Sequence, residues 1–271
     1  NYNTVVGDEA GTAITTGDTN TLVGMGSGDA IDTGISNTAL GHNALGADVK
    51  GNYSVAIGKG TLSSQSFSSS TSAYNTAVGT SAGNAVTTGT NNTLIGGRAG
   101  DALTDADFNV AVGNSALSAD TLGSTSIAIG HAALEAQNFT SATNTFNVAI
   151  GHVAGQSVTT GIQNTLIGGA AGDAITTGSE NTALGYNSLT ANTTAGANTS
   201  IGHSTMFYTT TGANNVAIGQ GSMYLNTTGT KNVAVGNASL DANTTASNNT
   251  AVGYAALTAN TTGSENVAMG V

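Results

Sequence analysis

Asn249-Thr250-Ala251-Val252-Gly253 is the stretch on which the reading of this chain turns. The same phrase, with small changes, returns as Asn3–Gly7, Asn20–Gly24, Asn37–Gly41, Ser54–Gly58, Asn75–Gly79 and onward to Asn266–Gly270. Sixteen copies occupy the 271 residues, separated by thirteen steps of 17 residues and two of 21. A fixed short period over a whole chain marks a repeat architecture, in which each unit buries its apolar face against its neighbours.

Let the closing glycine be position zero. The residue before it is always large and apolar (Val6, Leu40, Ile57, Met269), and two places earlier stands a β-branched residue (Thr4, Val55, Ile127). Between them the usual residue is Ala, as at Ala39, Ala56 and Ala183. Period-two alternation of strong strand formers predicts a short β-strand, and the glycine supplies a turn. A second half-unit, Tyr254-Ala255-Ala256-Leu257, leads to a second turn signal at Thr261-Thr262-Gly263. Two strands and two turns per 17 residues predict an all-β fold. It is a parallel β-roll or β-solenoid of about fifteen coils over residues 1–271, lengthened at 59–78 and 131–150.

Variation between coils points to a narrow interior. Where plus four is Gly, plus seven is bulky: Gly11 with Ile14, Gly28 with Ile31, Gly83 with Val86 and Gly172 with Ile175. Where plus four is Leu or Met, plus seven is usually polar: Leu45 with Asp48, Leu189 with Asn192, Met223 with Asn226. One large side chain per half-coil is what a close-packed lumen accepts, since two overpack it and none leaves a void. Asn opens fourteen of the sixteen phrases, Ser54 and Ser126 being the exceptions, which predicts a column of amides hydrogen-bonded along the stack. A longer repeat of 72 residues, seen in Leu22, Leu94 and Leu166 and in Tyr2, Tyr74 and Phe146, indicates duplication of a four-coil block.

Composition removes several functional classes. Only 7% of residues are charged and 4% aromatic, with 39 glycines and no Pro, Cys or Trp. The formal net charge of -11 opposes nucleic-acid binding, because a phosphate backbone requires clustered Lys and Arg. No thiol chemistry or disulfide framework is available, and no apolar run approaches the length needed to insert into a membrane. The first phrase begins at Asn3 and the last ends at Gly270, without the polar caps of an open repeat stack, so we expect a segment of a longer fibrous protein.

Ser54-Val55-Ala56-Ile57-Gly58 and Ser126-Ile127-Ala128-Ile129-Gly130 resemble the head repeats of trimeric autotransporter adhesins. Asn181-Thr182-Ala183-Leu184-Gly185-Tyr186-Asn187-Ser188-Leu189, continuing to Thr194, looks more like repeats of phage tail fibres. The resemblance covers nearly the whole chain, though adhesin heads use shorter coils. It implies a parallel β-roll joined three at a time, on a bacterial or virion surface, supporting attachment to a host.

Assembly follows from the two faces of the strand. With the residue before the glycine (Val78) turned into the lumen, the other face is lined by Ala39, Ala56, Ala77, Ala111, Ala128 and Ala149 and widened by Leu22, Leu94 and Leu166. Such a column is too apolar to face water, and a thin roll has little core of its own. Both arguments predict a homotrimer with this column at its interface.

Chemistry-bearing residues are sparse, and we expect no catalytic residues, metal or cofactor. Fifteen acids scattered through turns offer no carboxylate pair for glycoside hydrolysis. Asp29, Asp101 and Asp173 recur at plus five and suit calcium by chemistry, but the calcium-binding nonapeptide is absent and solvated turns explain them more simply. His42, His131, His152 and His203 all follow a phrase glycine, a position also filled by Asn114, Gln220 and Tyr254 and so a tolerant one. Both extended coils carry Gln-x-Phe: Gln65 with Phe67 and Gln137 with Phe139. On bulging loops these are candidates to touch a glycan or protein, or else to plug the widened coil. Phe207 and Tyr208 form a third aromatic spot with the same alternatives. A different functional class, a monomeric ice-binding β-solenoid, needs outward rows of Thr-x-Thr, whereas the Thr pairs here are adjacent and point opposite ways.

Overall fold

A computed structural model describes residues 2–270 of the chain, which contain strands and turns and no helix. The chain falls into two compact units, residues 1–144 and 145–271. Each unit is a parallel β-solenoid with eight of the phrase strands. Every phrase forms a three-residue strand ending just before its glycine, from Thr4–Val6 to Ile127–Ile129 in the first unit and from Val148–Ile150 to Val267–Met269 in the second. Neighbours pair in parallel one phrase apart, Thr4 with Thr21 and Thr165 with Thr182. Across the first extended coil Val55 still pairs with Thr76, so the four extra residues are absorbed outside the sheet.

The coil departs from the sequence reading in one respect. No second strand follows the glycine, because the backbone turns left-handed at plus two, plus four and plus twelve, as at Asn187 (φ 53°), Leu189 (φ 56°) and Ala197 (φ 57°). Residues at φ > 0 cannot continue an extended chain, so this half of the coil is a succession of turns. Among the described residues two-residue bridges appear only beside the extended coils, Gly51–Asn52 with Thr71–Ser72 and Gly123–Ser124 with Thr143–Asn144.

The lumen corrects the assignment of faces. Ala39, Ala56, Ala77, Ala111, Ala128 and Ala149 are fully buried within a single chain, as are Leu22, Leu94 and Leu166. These residues, expected at a trimer interface, line the inside of the coil. The residue before the glycine, expected inside, points out: Leu40 is 46% and Leu184 44% exposed. The physical reason is volume. Leu45, Leu62, Leu117 and Leu189 at plus four, or Ile31, Val86 and Ile175 at plus seven, are fully buried and already fill the lumen. The strand opposite them has room for a methyl group and no more.

Leu22, Leu94 and Leu166 obey the same rule. A Cβ placed on Gly11 or Gly28 would stand 2.9 or 2.8 Å from a Leu22 δ-carbon, so Leu22 fills the space that two flanking glycines leave. The compensation expected between plus four and plus seven therefore has a third member at minus two. A Cβ on Gly83 would meet Leu94 Cδ1 at 2.7 Å and Leu62 Cδ2 at 2.9 Å. The backbone there (φ 58°) is one that Leu45 adopts at the same position (φ 54°), so only packing opposes a larger residue. Gly83→Leu should lower the unfolding free energy in denaturant titration by about 1–3 kcal/mol. Adding Leu94→Ala should recover most of the loss, and failure to recover it would contradict a shared lumen site.

The amide column forms as expected, with a more specific geometry. Asn20 Oδ1 accepts from the backbone N–H of Asn37 in the next coil (2.9 Å), while its Nδ2 donates to Gly34 O of its own coil (2.8 Å). Asn181 repeats this with Asn198 N (3.1 Å) and Ala195 O (2.9 Å). A side chain with both acceptor and donor at this reach satisfies buried backbone groups on two coils at once. At plus eight the Thr hydroxyls make a second ladder to the next coil, as in Thr176 to Thr193 O at 3.0 Å.

The solvent-accessible surface is 10310 Å², close to the roughly 10,600 Å² that an ordinary monomer of this mass leaves exposed. The premise that the coil is too thin to own a core is thereby corrected.

Candidate functional site

The extended coils place their recurring Gln-x-Phe pair inside. Gln65 and Gln137 are fully buried, and Phe67 and Phe139 are only 5% and 7% exposed. They are not exposed loop contacts; the plug alternative holds, with no more than an edge of Phe67 left at the surface. Asp48, also fully buried, accepts from Gly51 N at 3.0 Å and from Gln65 Nε2 at 2.7 Å. Gln65 Nε2 also donates to Ser54 Oγ (3.0 Å), and its Oε1 accepts from Asn75 Nδ2 (2.8 Å). The Gln amide takes the space an Asn would fill at position 54, which explains why this phrase opens with Ser. The second extended coil repeats the set, Gln137 Nε2 donating to Asp120 Oδ2 (2.6 Å) and Ser126 Oγ (2.8 Å). Burial pushes the Asp48 and Asp120 carboxyls above the usual range, while the Gln and backbone donors pull the other way. A widened coil has more interior to fill, and it is filled by a Gln carboxamide hydrogen-bonded to an Asp carboxyl, with a buried Phe two residues after the Gln.

Phe207 and Tyr208 remain at the surface, half-buried and 44% exposed respectively. The structure adds a third ring that sequence reading missed. Tyr224 stands at plus five one coil after Phe207, and the two rings stack with centroids 5.3 Å apart and planes at 23°. Tyr208 closes against Tyr224 edge-on at 5.3 Å and 86°. Desolvation in this cluster, with the charge and hydrogen bond of Tyr208, pushes the Tyr224 phenol up. The 17-residue spacing between Phe207 and Tyr224 was the signal, because equivalent positions of successive coils lie about 4.8 Å apart.

The acids act as lateral clasps. Asp105 and Asp107 accept from the hydroxyls of Thr88 (2.6 Å) and Thr90 (2.8 Å) one coil earlier, and Asp173 accepts from Thr190. Asp101 pairs with Arg98, Nε to Oδ2 at 3.2 Å. Among the described residues no three His, Asp or Glu side chains gather closely enough to hold a metal ion. His203 stacks on Tyr186 of the preceding coil, centroids 5.7 Å apart.

What the correction of faces leaves outside is the most regular surface feature. Position minus one is Val, Leu, Ile or Met in all sixteen phrases, and minus three is Thr, Val or Ile. Neither column contains a charged residue, and all 19 charged side chains lie in the turns. Within each unit this makes a pleated face of aliphatic and threonine side chains on an eight-strand sheet.

Fold and repeat together define the class: an all-β, parallel β-solenoid repeat protein. No family model, curated protein or solved structure matches the chain.

Proposed function

We propose that this chain is a structural segment, shaft or head, of an extracellular trimeric fibre that supports attachment to a host or surface. The observation that carries the reading is the outward minus-one column, aliphatic in sixteen of sixteen phrases. Monomeric soluble proteins rarely present contiguous apolar surface beyond a few hundred Å², and selection for solubility alone does not keep every such position large and apolar. Copies related by a threefold axis cover that face. The fibre reading also rests on the likeness of the phrases to adhesin heads and tail fibres.

Sedimentation equilibrium should give three times the 26.2 kDa chain mass. Leu184→Lys with Ile218→Lys, both on exposed outer positions, should reduce the mass to that of one chain without changing the circular dichroism spectrum. A wild-type monomer at micromolar concentration would defeat the trimer.

One observation favours a second reading. The outward rows are Thr-x-Leu, Thr-x-Val or Thr-x-Ile in nine of sixteen strands, so hydroxyl and methyl groups alternate on a regular face. The objection based on adjacent Thr pairs concerned a different part of the coil. A monomer showing thermal hysteresis in freezing assays would make ice binding the better reading.

A further inference from the structure

Beside the first extended coil lies a concave pocket of about 700 Å³, within the size range of small-ligand sites, about 300–1,000 Å³. Its lining includes Lys50, Ser66, Phe67, Ser68, Thr88 and Thr90. None of these belongs to the outward strand columns, so the pocket stays open when that face is covered. The bulge of the 21-residue coil builds one wall, the ordinary coil after it another, and the coil before it supplies Lys50. The buried Phe67 that plugs the coil keeps an edge on the floor.

The polar groups at the rim have an unusual status. Among the described residues the Lys50 ammonium makes no ion pair, and the Ser66 and Ser68 hydroxyls have no partner. Thr88 and Thr90 spend their hydroxyl protons on Asp105 and Asp107, which leaves oxygen lone pairs to accept from a ligand. The rim thus offers donors, acceptors and groups that are both, around an apolar floor.

We propose that this pocket binds a neutral saccharide. Sugar hydroxyls are paired donors and acceptors, matching ammonium, serine and threonine in turn, and the C–H face of a pyranose suits an aromatic and aliphatic floor. An anionic ligand is disfavoured, since one ammonium is answered by two carboxylates just behind the rim, on a chain of net charge -11. The proposal names a ligand class for the attachment reading and rests on that reading for its biological sense, though the binding is measurable without it.

The chain is titrated with triacetylchitotriose, cellotriose, maltotriose and mannotriose, with sialyllactose as the acidic comparison, by saturation-transfer NMR and calorimetry. At least one neutral trisaccharide should bind with a dissociation constant at or below about 1 mM. Lys50→Leu and Ser68→Trp should each weaken it about tenfold or more, with the thermal midpoint unchanged. Leu122 holds the place of Lys50 before the second extended coil, so leucine is compatible with the fold. Absence of neutral-sugar binding at about 10 mM, binding that survives both substitutions, or binding of sialyllactose alone would each overturn the proposal. Mass measured on the same samples separates the two ideas. A monomer that binds sugar leaves the pocket and removes the fibre, and a trimer that binds none does the reverse.

Discussion

Ala111→Lys is expected to unfold the coils around it, and Val112→Lys, one residue along, to leave them folded. Ala111 is fully buried against the lumen, while Val112 lies on the outer face. A lysine at 111 has no partner inside and no room: the neighbouring lumen already holds Leu94 and Leu117. An unpaired buried charge and overpacking act together, and we expect a loss of at least about 5 kcal/mol, seen as a collapsed thermal midpoint or insoluble protein. Val112→Lys should change stability by about 0.5 kcal/mol or little more and weaken self-association instead. The reverse outcome, with Ala111→Lys folded and dissociated, would show that the wall had been turned the wrong way round.

Gly168→Ala should be nearly as damaging, for a backbone reason. Gly168 sits at φ +137°, and a Cβ there would lie 2.4 Å from the carbonyl oxygen and 2.6 Å from the carbonyl carbon of Gly185 in the next coil. Neither obstacle can rotate aside, since both are backbone atoms and Gly185 is tied to the preceding coil by its N–H to Ile167 O at 2.8 Å. Strain in this region of φ costs on the order of 1–3 kcal/mol by itself, and separating two coils adds the loss of their ladder. We expect about 4 kcal/mol or more in total, read by denaturant titration against Gly169→Ala. A Cβ on Gly169, at no such φ, would meet only the Tyr186 ring, at 3.2 Å, and that ring is exposed and free to move. Equal effects at 168 and 169 would count against close coil contact as the cause.

Both predictions mark the limit of what the residues alone reveal. The period, the strand at each phrase, the amide column and the exchange between Leu45-type and Ile31-type lumen residues were all legible, because each is a local pattern repeated many times. The orientation of the strand was not. Alternation shows that Ala111 and Val112 face opposite ways but does not say which faces in. The cue was present in Leu22, Leu94 and Leu166, each in a coil with Gly at plus four that follows another such coil, as lumen filling requires. Gln65 and Phe67 show the same limit: their polarity and bulge suggested a surface, while their burial depends on the volume the four extra residues open.

From its sequence alone, then, this chain is a parallel stack of 17-residue coils, since only one architecture satisfies that period, those glycines and an Asn opening fourteen of sixteen phrases. Tertiary structure decided which wall of the coil meets solvent, because lumen volume is shared among positions minus two, plus four and plus seven and is visible only when all three are placed together. It also decided that Tyr224 joins Phe207 and Tyr208, and that Lys50, Ser66 and Thr88 meet around one pocket. Residues 16 to 38 apart in the chain become neighbours only through the stacking of coils.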